Sequence, residues 1–229
     1  DKGIHLYHND IIGVGLNKTD NGINFVSLFD LHSGIELLNR TNTSIFKLII
    51  SIGKDTIRLD NESSWKKTEI KWDKNEKLSL LTLNFKGAKD SKLNGLSVFC
   101  EVEFHNNLTH GGLETKLPEQ GVSLLETEFP SIKAGPIGQV PEENVLHYPK
   151  ASGIASHSPY TKDINYSEVY PNWRATYQMF GLYNKQGGLY IASHDPTGSV
   201  KKISTSTDQE KVNFQFNWPA PNMGIDNNG

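Results

Sequence analysis

The feature that most constrains this chain is strict two-residue alternation of apolar and polar side chains. Val212, Phe214, Phe216 and Trp218 alternate with Asn213, Gln215 and Asn217, which is the signature of a strand with one face buried. Val98, Cys100, Val102 and Phe104 repeat the pattern against Phe99, Glu101 and Glu103. The runs 44–52 and 78–85 are rich in β-branched and large apolar residues and are bounded by turn formers, so they also read as strands. Asn21-Gly22 lies between the apolar runs 11–16 and 23–29 and predicts a hairpin. A second hairpin is predicted for 176–183 and 189–193, joined by Asn184-Lys-Gln-Gly-Gly188. No window of a dozen residues keeps a 3.6-residue apolar period free of Gly and Pro. The expected class is all-β and antiparallel.

The 229 residues fit a single β-domain with a core large enough to need no metal or disulfide. Cys100 is the lone cysteine, and its apolar strand neighbours mark it as a small core residue rather than a reactive thiol. A net charge of −3 with interspersed signs leaves no basic stripe for phosphates, so no nucleic-acid partner is expected. No run approaches the ~20 apolar residues of a membrane helix. Six N-x-S/T sequons begin at Asn17, Asn39, Asn42, Asn61, Asn107 and Asn165, about what chance gives in a chain rich in Asn, Ser and Thr.

Residues 130–175 break the alternation. They hold six of the ten prolines, several glycines, and His147, Tyr148, His157, Tyr160, Tyr166 and Tyr170. Long irregular segments in compact domains are commonly functional, and this one is too aromatic for a disordered linker. It is expected to be an ordered, irregular excursion on one face of the domain; a two-domain split there is the alternative, though the strands after it look too few for a second core. The end, Trp218-Pro-Ala-Pro-Asn-Met-Gly-Ile-Asp-Asn-Asn-Gly229, turns into loop chemistry, as a linker or a plain tail would.

The sharpest chemical cluster is Gly188-Leu-Tyr-Ile-Ala-Ser-His-Asp-Pro-Thr-Gly198, in which a strand delivers His194 and Asp195 to a turn. Asp195 can orient His194 for acid/base work or sugar-hydroxyl contact; the plainer alternative is an Asx turn before Pro196. Glu126 and Glu128 stand two apart and so share a strand face, at ~7 Å by strand rise. That is within range of a glycosidase carboxylate pair, but it equally suits a solvated sheet surface. His5/His8 and His105/His110 show no supporting carboxylate at metal-site spacing, so no metal is expected. Tyr170-Pro-Asn-Trp173 and Trp218 set flat rings beside polar turn residues, either to stack on a sugar or to anchor loops to the core. No G-x-S-x-G, Walker or dinucleotide motif occurs, and no cofactor is expected.

Asn24-Phe-Val-Ser-Leu-Phe-Asp-Leu-His-Ser-Gly-Ile-Glu-Leu-Leu38 resembles the early hairpin of galactose-mutarotase-like supersandwich domains. Phe129-Pro130, the proline-rich excursion, Tyr170-Pro171, Tyr177-Gln-Met-Phe-Gly-Leu-Tyr183 and Gly188-Leu-Tyr-Ile-Ala-Ser-His-Asp-Pro196 resemble bacterial glycoside hydrolases that carry this supersandwich ahead of a (β/α)₈ barrel. The resemblance spans most of the chain and is more specific in its second half. It implies an N-terminal accessory domain that packs on, and shapes the cleft of, a C-terminal catalytic barrel, where the catalytic carboxylates would reside. It also implies an oligo- or polysaccharide partner through the parent enzyme. A secreted, periplasmic or cell-surface setting is expected, with a cytoplasmic one as the alternative. On this reading His194, Asp195, Trp173, Tyr170, His147 and Tyr148 are the carbohydrate-contact candidates, and Glu126 and Glu128 are weaker acid/base candidates. A self-standing carbohydrate-binding module and a mutarotase-type epimerase are the alternatives. The His and Glu pair of true mutarotases has no residue-by-residue match here, which places that activity in doubt.

Overall fold

A computed structural model describes residues 2–38, 43–74, 78–105, 109–118, 121–208 and 210–220. Strands β1 (Gly3–His8), β2 (Ile12–Lys18), β3 (Ile23–Asp30) and β4 (Ile35–Glu36) form one meander in chain order. Strands β7 (Trp65–Lys74), β8 (Ser79–Ala88), β9 (Ser97–Phe104) and β10 (Thr109–Lys116) form a second. A six-stranded sheet gathers β5 (Lys47–Ile52), β6 (Asp55–Asp60), β11 (Val122–Ala134), β14 (Asn165–Tyr170), β17 (Lys201–Thr207) and β18 (Val212–Pro219) in the order β14-β17-β18-β11-β5-β6. The fourth sheet, in the order β13-β12-β15-β16, comprises β12 (Val145–Tyr148), β13 (Ile154–His157), β15 (Met179–Tyr183) and β16 (Gly188–Ala192). The pairings are antiparallel throughout these sheets. The division into four sheets is propeller-like, and the described residues contain no α-helix.

Alternation along the strands sets the core. Val212, Phe214 and Phe216 are buried while Asn213, Gln215 and Asn217 face the other side of β18, and Val98, Cys100 and Phe104 are buried on β9. Phe180 of β15 packs 5.3 Å, centroid to centroid, from both Phe214 and Phe216, joining the fourth sheet to the six-stranded one. Phe46 packs 5.1 Å from Phe85 and 6.2 Å from Trp65, joining the second meander to the start of β5. Each buried ring is worth ~1.5–3 kcal/mol over its exposed state, so these clusters are major bonds between sheets.

The β2–β3 hairpin forms where Asn21-Gly22 predicts it. The Thr19 hydroxyl accepts from the backbone N–H of both Asn21 and Gly22, at 3.2 Å each. Glycine is required at 22 by close approach, since a Cβ there would lie 1.7 Å from the Asn61 carbonyl oxygen. Asn61 is fully buried. Its Nδ2 donates to the Ile23 carbonyl (2.7 Å) and Asn24 Oδ1 (3.0 Å), and its Oδ1 accepts from Ile45 N–H (2.9 Å). The Asn61 sequon is therefore closed to glycan in the folded chain. Asn39, Asn42 and Asn107 lie outside the described residues, as does 221–229 of the predicted linker or tail.

Strand β11 pairs with β18 on one side and β5 on the other. Its register with β18 slips between Glu128 and Ser131, around Pro130, which has no N–H to give the ladder. The peptide bonds before Pro130 and Pro171 are cis.

The segment 130–175 holds the end of β11 and the whole of β12, β13 and β14, set between turns and loops. Two of these strands have only four residues, too short for alternation to stand out. The buried Asn144 organises the loop before them, accepting from Ile137 N–H (2.8 Å) and donating to the Ile137 (3.1 Å) and Val140 (3.2 Å) carbonyls.

Candidate functional site

Residues of the six-stranded sheet and residues flanking the fourth sheet meet around one buried cation. Lys201 opens β17 on the inward side, because Lys201, Ile203 and Thr205 alternate with the outward Lys202, Ser204 and Ser206. Its side chain is fully buried. The ammonium donates to Asp195 Oδ2 at 2.8 Å and to the Gln178 amide oxygen. It also lies 4.4 Å from the Trp218 ring centroid and 5.1 Å from that of Tyr170. A buried ammonium is tolerated when anionic and π acceptors surround it in this way.

Asp195 serves two structures at once. It holds Lys201, and it closes the turn by accepting from Thr197 N–H (3.0 Å), the Thr197 hydroxyl (2.6 Å) and Ser199 N–H (2.7 Å). The Lys201 ammonium and the Thr197 hydroxyl hold its carboxyl well below the usual carboxylate range. Of the two readings of the His194–Asp195 turn, the Asx turn is the one formed, and the carboxylate goes to Lys201 instead of orienting the imidazole. His194 instead lies beside Tyr190 and His110, each with its ring centroid 6.4 Å away. The Trp218 indole N–H donates to the Phe129 carbonyl (2.9 Å).

Glu126 and Glu128 share a sheet face, as their spacing requires. Asn217 Nδ2 donates to Glu126 (2.7 Å), and Glu128 receives Lys47 Nζ (2.7 Å) and Gln215 Nε2 (3.0 Å). Both carboxylates are thus built into a row of polar partners reaching across β5, β11 and β18.

The other carbohydrate candidates fall in different surroundings. His147 and Tyr148 sit on β12, where the Tyr177 hydroxyl donates to the Tyr148 carbonyl (3.1 Å) and meets His147 Nε2 at 3.0 Å. Tyr148 is buried against Tyr166, ring centroids 5.2 Å apart. Tyr170 lies in the lysine pocket. Trp173 projects from the turn after β14 and is 72 % exposed.

That turn is tightly held. Asn172 Oδ1 accepts from Arg174 N–H (2.6 Å) and Ala175 N–H (3.1 Å), its amide donates to the Val169 carbonyl, and the Tyr166 hydroxyl donates to the Arg174 carbonyl (2.7 Å). The Arg174 guanidinium lies 4.7 Å from the Trp173 ring centroid and 3.4 Å from Glu168.

Lys201, Gln178, Arg174 and Glu103 are members of these sites that the sequence reading did not single out. Lys201 carried a signal: it begins an alternating strand on the apolar side, where a charge requires a partner. Among the described residues, Glu103, His105 and His110 are the one group of three His, Cys, Asp or Glu side chains whose ligand atoms lie within 4.8 Å of one another. The chain matches no protein-family model and no curated protein.

Proposed function

We propose that this chain is an accessory β-domain of a carbohydrate-active protein, of the galactose-mutarotase-like supersandwich type, that contacts glycan through the Trp173 turn and leaves hydrolysis to a barrel in cis. The observation that carries the reading is Trp173, an indole held 72 % exposed on a turn fixed by Asn172 and Tyr166. A ring fixed before binding stacks on the apolar face of a sugar at little entropic cost. Arg174 and Glu168 beside it offer a donor and an acceptor for hydroxyls. The engagement of Glu126 and Glu128 by Asn217, Gln215 and Lys47 supports the non-catalytic half of the reading. A glycosidase pair needs one carboxyl free to give a proton and another free to act on the sugar or on water.

The test is calorimetric titration of the chain with a broad panel of neutral and acidic oligosaccharides, beside Trp173→Ala and an aryl-glycoside hydrolysis assay. Saturable binding to at least one glycan, lost in the variant while its melting curve is unchanged, is the expected result. A flat titration across the panel would remove the glycan contact, and robust hydrolysis by the chain alone would remove the accessory role.

A further inference from the structure

The β9–β10 hairpin places two imidazoles and a carboxylate on one face. His110 of β10 pairs directly with Glu103 of β9, and Thr109 with Phe104. Directly opposed residues share a face with Cβ atoms ~5 Å apart, and His105, two residues beyond Glu103, returns to that same face. Glu103 Oε2 and His105 Nε2 are 3.0 Å apart, and the His105 and His110 ring centroids are 5.6 Å apart.

All three ligand atoms fall within 4.8 Å of one another. A tetrahedral zinc ion with bonds of ~2.0–2.2 Å sets neighbouring ligand atoms ~3.4 Å apart. The widest of these separations therefore has to close by at most about 1.4 Å, while the Glu103–His105 pair at 3.0 Å opens slightly. The side chains of His105 and Glu103 are 43 % and 37 % exposed and His110 is exposed, so rotation about χ angles suffices and the strands need not move. Two nitrogens and one oxygen suit a borderline cation such as Zn²⁺ and disfavour Ca²⁺ and Mg²⁺, which take oxygen donors. Three protein ligands leave a fourth position for water or a further donor, and the His194 ring stands 6.4 Å from that of His110.

We infer that Glu103, His105 and His110 form a binding site for a zinc-class divalent cation. The inference stands apart from the glycan reading and shares no ligand residue with it.

Calorimetric titration of the metal-free chain with ZnCl₂ tests it, with CaCl₂ as the comparison cation. One Zn²⁺ per chain is expected, with affinity falling about tenfold or more in His110→Ala and in Glu103→Gln and unchanged in His8→Ala. CaCl₂ is expected to give no saturable heat. Absence of saturable Zn²⁺ binding, or equal affinity in His110→Ala and His8→Ala, would overturn the site. Should a variant fail to fold, the wild-type chain titrated with Co²⁺ decides. The intense visible bands of a tetrahedral complex support the site, and the weak spectrum of the hydrated ion refutes it.

Discussion

Replacing Asn61 with alanine should destabilise the chain far more than its place in a surface-type sequon suggests. Its fully buried carboxamide donates to the Ile23 carbonyl and Asn24 Oδ1 and accepts from Ile45 N–H, tying the β2–β3 hairpin to the approach to β5. Alanine removes three hydrogen bonds and leaves three partners facing an apolar methyl group. At ~1–3 kcal/mol for each buried group left unsatisfied, and allowing for partial relaxation, the loss comes to about 3–6 kcal/mol. A domain of this size loses ~2–4 °C of melting temperature per kcal/mol, so the midpoint should fall by roughly 6–24 °C. Thermal and urea unfolding followed by tryptophan fluorescence measures it. Asn165→Ala, at the exposed Asn165 sequon, is the control and should stay within ~0.5 kcal/mol. A loss below ~1 kcal/mol for Asn61→Ala would mean that water or neighbouring groups satisfy those partners, and the network argument would fail.

Cys100 is fully buried, and desolvation pushes its thiol up to about 12; thiol reagents should label it only after unfolding, and fast labelling of the native chain would contradict that. Asp195, whose carboxyl is held low chiefly by Lys201, contributes stability that is present above the ordinary carboxylate value of about 4 and is lost as pH falls below it. Asp195→Asn should therefore flatten the decline of melting temperature between neutral and acid pH, and an unchanged slope would refute this. Gly22→Ala should disrupt the β2–β3 hairpin, because its Cβ would fall 1.7 Å from the Asn61 carbonyl oxygen; a variant as stable as wild type would show that the turn and the Asn61 loop can separate.

Much of the strand content was legible in the residues. The hairpins at Asn21-Gly22 and at 184–188 form, and the inward row Val212, Phe214, Phe216 is buried, because alternation is a local property of an extended backbone. The short strands within 130–175 were not legible, since four residues give too brief a pattern and Asn144 does work there that its sequence context does not announce. The candidate site was legible by halves. The His194–Asp195 turn, Tyr170, Trp173 and Trp218 were singled out, while Lys201 and Gln178, which complete the pocket around Asp195, come from other strands. Glu103 stood beside a histidine pair that was read as lacking a carboxylate. Only the register that sets His110 opposite Glu103 brings the three together.

By itself, the sequence determined that the chain is all-β, which side of its long strands is apolar, and where its tightest turns fall. Each of these depends on backbone geometry over a few residues. Tertiary structure alone decided the four-sheet order, the burial of Lys201 against Asp195, Trp218 and Tyr170, and the sealing of the Asn61 sequon. Those features join residues tens of positions apart, and their energies arise only when packing has excluded water from both partners at once.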